Sequence, residues 1–335
     1  MPDDGGVTLA LRLLGLAFGA GVVAWLVAHA DSEALLAAFA HVGWGFLAIL
    51  AARAATVVID AGAWSLLLPR GERPRFAVIV PLRWIGEAIN TTLPVAQVGG
   101  DVVRARLLQR RLPLPARGAA TVAVDFALSL FAQILFTALG LVLLAWFGER
   151  SGWWWAAAAA AMAVLFALLC RELLARRRLL RLAQRWAARV GRDRLGARLQ
   201  AFDGALGLIA QSRAVLLTAL CLHIASFLAH AAEVWLTLYL MAAATGFAQA
   251  VLLESLSLTA RSAAFLIPSG WGAQEATLVA LAAVAGLSPD TALALGLIKR
   301  AREFAIGVPG LCAWGIAERR PVSRQPAANV TIDLG

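Results

Sequence analysis

Glu87-Ala-Ile-Asn-Thr-Thr-Leu-Pro94-Val-Ala-Gln-Val-Gly99-Gly100-Asp101 is the stretch on which the reading of this chain turns. It lies in an apolar region, yet it carries two carboxylates, a proline and a glycine pair. Proline removes a backbone donor and glycine relaxes the backbone, so a membrane helix entering this stretch must break here. A second stretch has the same design: Arg261-Ser-Ala-Ala-Phe-Leu-Ile-Pro268-Ser-Gly270-Trp-Gly272-Ala-Gln274-Glu275. In each, a charged residue stands seven positions before the proline, and two glycines and a carboxylate follow. Two Pro/Gly-interrupted apolar segments in corresponding halves of a chain are the sequence mark of a transport site built from discontinuous helices.

The surrounding chain is membrane-like. Of its 335 residues 61% are hydrophobic, and the mean hydropathy is +0.77. Soluble domains average about 45–50% apolar residues. Six apolar runs approach or exceed the ~20 residues a helix needs to cross a bilayer: 7–27, 44–68, 119–147, 153–170, 214–241 and 292–317. Period-two alternation is absent, which favours helices over a barrel. The first run is read as a retained helix rather than a signal peptide, because Asp3 and Asp4 precede it and no basic cluster opens the chain.

The net charge of +10 would suggest nucleic acid in a soluble protein. Here the arginines fall between apolar runs, and contact with anionic lipid headgroups is the simpler reading; nucleic acid is excluded. Arginines cluster at 70–83, 104–117, 171–213 and 319–324, whereas the remaining loops, 29–41, 148–152 and 242–248, carry few. The positive-inside rule then puts both termini in the cytoplasm of a bacterial inner membrane. It also makes 76–103 begin and end inside and 249–287 begin and end outside. Both must turn back within the bilayer, at Pro94, Gly99 and Gly100 in one and at Pro268, Gly270 and Gly272 in the other.

The expected fold is an all-α polytopic membrane protein of about six transmembrane helices plus two re-entrant helical hairpins related as an inverted repeat. Its parts are a first membrane half (1–170), a basic cytoplasmic amphipathic linker (171–213), a second membrane half (214–318) and a disordered cytoplasmic tail (319–335).

Many charges fall inside the apolar segments: Arg53, Asp60, Glu87, Asp101, Asp125, Glu233, Glu254, Arg261, Glu275, Lys299, Arg300 and Glu303. Each would cost about 2.5–3.5 kcal/mol at the bilayer centre, so they must pair and face protein or water. Helical spacing agrees. Arg53, Thr56 and Asp60 share a face, as do Glu254, Ser257 and Arg261, and His223, Ser226, His230 and Glu233. Such pairs can simply hold helices together, but gluing does not require carboxylates beside both breaks. At a break, free N–H groups bind anions and free carbonyls bind cations. The candidate substrate-binding residues are Glu87, Asn90, Asp101, Arg104, Arg261, Gln274, Glu275, Lys299, Arg300 and Glu303.

Other motifs fail. Val98-Gly99-Gly100-Asp101 lacks the lysine and spacing of a P-loop. His223, His230 and Glu233 complete no zinc motif. No cofactor, metal site or complete catalytic motif is expected.

The sequence resembles the flippase-like family typified by the membrane region of lysylphosphatidylglycerol synthase. Gly86-Glu87-Ala88-Ile89-Asn90, Pro94, Gly99-Gly100-Asp101, Arg104 and Pro268-Ser-Gly270-Trp-Gly272-Ala-Gln274-Glu275 carry the likeness. Leu93-Pro94-Val95-Ala96-Gln97-Val98-Gly99-Gly100-Asp101-Val102-Val103-Arg104-Ala105-Arg106 is most similar to the branch associated with hopanoid biosynthesis. The resemblance implies movement of a lipid between leaflets; a hopanoid, a modified phospholipid such as an aminoacylated one, or a glycosylated lipid carrier is compatible, and synthase activity is not carried over. The alternative is an embedded accessory protein or transferase of hopanoid or polyprenyl lipid biosynthesis. Expected partners are membrane lipids with anionic headgroups; lipid-synthesis enzymes and a second copy of the chain are compatible.

Overall fold

The computed structural model describes residues 31–69, 71, 73–93, 98–112, 115–148, 201–209, 212–243, 245–264 and 270–319, with isolated positions at 21, 24, 25 and 28. The expected spans 7–27 and 153–170, most of the linker 171–213, the tail and the breakers Pro94 and Pro268 lie outside these residues.

All regular structure among the described residues is helical. Helix α1 (Ser32–Val42) runs through a short 3-10 turn (Gly43–Gly45) into α2 (Phe46–Leu66). The sequence reading treated 29–41 as a loop. Its run of Ala and Leu, with Glu33 in the first turn, instead favours helix. Then come α3 (Phe76–Thr92), α4 (Gly99–Gln109) and α5 (Pro115–Phe147). The second half contains α6 (Arg213–Leu240), α7 (Phe247–Ala263), α8 (Ala273–Leu281) and α9 (Pro289–Arg319).

Length separates these helices into two kinds. The 33 residues of α5 extend about 50 Å at 1.5 Å per residue, ample for a ~30 Å hydrocarbon layer. The 17 residues of α3 or of α7 reach only about 26 Å, and the 11 of α4 and 9 of α8 far less. Among the described residues, three stretches are long and apolar enough to span: Leu35–Leu66, Arg117–Phe147 and Arg213–Leu240. Helix α9 has the length, but Lys299, Arg300, Arg302 and Glu303 interrupt its apolar sequence with charges buried inside the protein.

The short helices fold back on their neighbours. Asn90 Oδ1 accepts the Gly100 N–H at 2.7 Å, and a Cβ at Gly86 would lie 3.1 Å from the Gly100 carbonyl and 3.2 Å from Arg104 Cδ. Helices α3 and α4 therefore run antiparallel, almost backbone on backbone, with Ile79, Leu82, Leu107 and Leu108 in one apolar cluster. At the second interruption Gly270 (φ +60°) and Gly272 (φ +80°) hold left-handed conformations that side chains resist. The Gly272 N–H then donates to Glu275 Oε2 at 2.9 Å and starts α8.

Across the halves, α2 packs on α6, α3 on α9, and α5 on α7. Large apolar side chains cover the outside: Trp44, Leu47, Leu139, Val142, Trp146, Leu217, Tyr239, Val308 and Ile316 are all exposed. So much apolar surface suits a hydrocarbon environment and no aqueous one. The interior, by contrast, is charged.

Candidate functional site

Two ion clusters fill the centre. The first joins α2, α3, α4, α5 and α6. Arg83 bridges Asp60 at 2.9 Å and Asp125 at 3.2 Å. Arg104 meets Asp125 at 2.7 Å, and its Nε donates to Asp101 at 2.8 Å. Its guanidinium lies 4.8 Å from the centroid of the buried Trp64 ring, a cation–π contact in a desolvated place. His223 faces a carboxylate with each nitrogen: Nδ1 is 3.2 Å from Asp60 Oδ1 and Nε2 is 3.0 Å from Asp125 Oδ1. Carboxylates only accept, so both contacts are satisfied when the ring donates twice, as imidazolium. With that charge, three cations offset Asp60, Asp101 and Asp125.

The second cluster joins α2, α3, α6, α7, α8 and α9. Arg53 pairs with Glu87, Lys299 with Glu254, and Arg261 with Glu303. Arg300 Nε donates to Glu275 at 2.5 Å and Nη1 to Glu303 at 2.9 Å, while Arg302 meets Glu233 at 3.0 Å. Five cations again face five carboxylates, Glu87, Glu233, Glu254, Glu275 and Glu303. Charge balance with short contacts is what makes such groups tolerable away from water.

A cavity of about 310 Å³ opens beside the first cluster. Arg83, Glu87 and Asn90 of α3, with Asp101 and Arg104 of α4, form its polar side. Phe126, Ser129, Leu130 and Gln133 of α5 form the other, and Ser262 of α7 closes it through a 2.7 Å bond from Gln133. Both interrupted segments thus reach one chamber. The side chains of Arg83, Glu87 and Asp101 keep 16%, 16% and 15% exposure, whereas Arg104 keeps 1%. The first three present charge to the cavity, and Arg104 holds the wall. A water-sized void between Arg53, Glu87, Arg302 and Glu303 connects this wall to the second cluster.

Of the residues expected from sequence, Glu87, Asn90, Asp101 and Arg104 line the cavity. Arg261, Glu275, Lys299, Arg300 and Glu303 come together in the second cluster behind it. Gln274 is buried, and its Oε1 has no hydrogen-bond partner among the described residues. Gly99 and Gly100 open α4, and Gly270 and Gly272 precede α8. Arg83 corrects the sequence reading. It was counted with a cytoplasmic arginine group, yet it sits within α3 between two buried carboxylates. Its position one turn before Glu87 was the available signal. Arg302 was likewise passed over, as were Ser129, Gln133 and Ser262, whose types carry no motif.

The model of the lysylphosphatidylglycerol synthase transmembrane region matches residues 12–310. The chain belongs to that family. It is accordingly a membrane protein, with its cavity and both ion clusters inside the matched region. Neither a curated protein sequence nor a solved structure matches the chain.

Proposed function

We propose that this family member is a carrier that moves a lipid headgroup between leaflets and performs no covalent step. The carrying observation is the chamber shared by both interrupted segments, with charges of both signs on one side and Phe126 and Leu130 on the other. A volume of about 310 Å³ is at the lower end of the ~300–1,000 Å³ of small-ligand sites. It suits a polar headgroup whose chains stay in the hydrocarbon. Every carboxylate on its wall already pairs with a guanidinium, an arrangement suited to exchanging partners with a charged headgroup rather than to general-base chemistry.

The reading includes two re-entrant hairpins, α3–α4 and α7–α8, entering from opposite faces as an inverted repeat. Two features support it. Each half runs long, 17 residues, short, long. The α2–α6, α3–α9 and α5–α7 packings pair equivalent positions as a two-fold axis would. The inner membrane, with Arg106, Arg110 and Arg319 on its cytoplasmic side, is the corresponding location. A hopanoid or a modified phospholipid is the corresponding cargo.

The test is reconstitution into vesicles with a leaflet-resolved assay of a headgroup-labelled lipid. Glu87→Gln and Asp101→Asn each remove one charge from the wall and are expected to abolish movement. Transport by both variants at the wild-type rate would refute the site.

A further inference from the structure

His230 stands between Arg53 and Glu254 of the second ion cluster. Arg53 Nη1 donates to its Nε2 at 2.8 Å. Guanidinium has no acceptor, so Nε2 must offer its lone pair, and the ring is neutral with its proton on Nδ1. That Nδ1 is buried without a hydrogen bond and lies 3.9 Å from Glu254 Oε1. Phe227 packs edge-on against the ring at 5.8 Å. The charged groups around it come from every neighbouring helix: Arg53 and Asp60 from α2, Glu254 from α7, Lys299 and Arg302 from α9, and Glu233 one turn along α6.

We propose that His230 is a proton-binding site that couples proton entry to the cavity wall through Arg53. The step is a simple addition. A hydronium ion gives its proton to the Nε2 lone pair: one O–H bond breaks, one N–H bond forms, water is left, and the ring becomes a cation. The Arg53 hydrogen bond is then lost, because two donors now face each other. Arg53 is also the partner of Glu87, which lines the cavity. Its displacement frees the Glu87 carboxylate toward the chamber, while the protonated ring is drawn to Glu254. Water has a route: the His230 side chain keeps 13% exposure, and the void beside Arg53 and Glu87 holds about 10 Å³, near the space of one water. The inference rests on the carrier reading and adds its coupling ion.

The experiment uses the full chain in phosphatidylglycerol–phosphatidylethanolamine vesicles with headgroup-labelled phosphatidylglycerol as probe. A pH difference is imposed while the membrane potential is clamped. Wild-type movement should change with the direction of the gradient. His230→Gln, which can still accept from Arg53 but cannot take up a proton, should lose that response. Wild-type movement indifferent to the gradient, or a response kept by His230→Gln, overturns the coupling and leaves the carrier reading intact. No probe movement at all removes the carrier reading and this inference with it. Should His230→Gln not fold, histidine NMR of the wild type decides. The His230 ring should pass from the Nδ1–H form to imidazolium on acidification. A ring that stays neutral across the acidification overturns the proposal.

Discussion

Asp125 meets Arg83, Arg104 and His223 from a fully buried position, so three cations lean on one carboxylate. Asp125→Asn is expected to destabilise the fold by about 3–5 kcal/mol, the usual cost of leaving buried charge uncompensated. Unfolding in detergent would measure it. Adding His223→Gln removes the surplus positive charge, and the double variant should recover about 1–3 kcal/mol of that loss in a double-mutant cycle. Strict additivity would mean that the two residues do not share one charge ledger. Asp60, Asp125 and His223 were legible as polar positions on apolar helices. Their common partner Arg83 was not, because an arginine following Arg70, Arg73 and Arg75 looks like part of a topogenic cluster. Only the need of buried carboxylates for partners would have drawn it inward.

At the scale of helices, the glycines decide whether the interrupted segments can close. A Cβ at Gly100 would run into the Gly86 carbonyl, and one at Gly272 would sit at φ +80°. Gly100→Ala should cost about 1–3 kcal/mol through overpacking and separate α3 from α4. Gly315→Ala is the control, since open space surrounds that position in α9. It should be neutral or stabilising by about 0.5–1 kcal/mol. Equal effects of the two in thermal unfolding would show that the α3–α4 contact contributes nothing. The interruptions were readable because proline and glycine act locally on the backbone. The extent of α1 was not, since a polar residue or two beside an apolar run marks a loop and a helix start equally well. The free thiols Cys221 and Cys312 lie exposed on α6 and α9, and period alone does not say which helix face meets lipid.

For the whole molecule, composition was enough to place the chain in a membrane, but not to say which charge meets which. Arg53 pairs with Glu87, yet Glu254 takes Lys299, and His223 reaches Asp60 163 residues away. Such pairings follow from how the halves interlock, which no local pattern encodes. The same interlocking ties the ends of distant helices together. Arg106 and Arg110 hold Glu318 at 3.1 and 2.7 Å, so α4 and the end of α9 share one membrane face. The carrier reading puts Ser288, at the other end of α9, on the opposite face. In a background without native cysteines, Ser288→Cys should label from outside intact cells and Glu318→Cys only after permeabilisation; the reverse pattern would invert the assignment. The central claim is that paired charges around two interrupted segments form a chamber for a lipid headgroup. Leaflet-resolved movement of labelled lipid by reconstituted wild type and Asp101→Asn tests it most directly. The account predicts transfer by the wild type and its loss in the variant, while equal rates for the two, or no transfer by either, would contradict it.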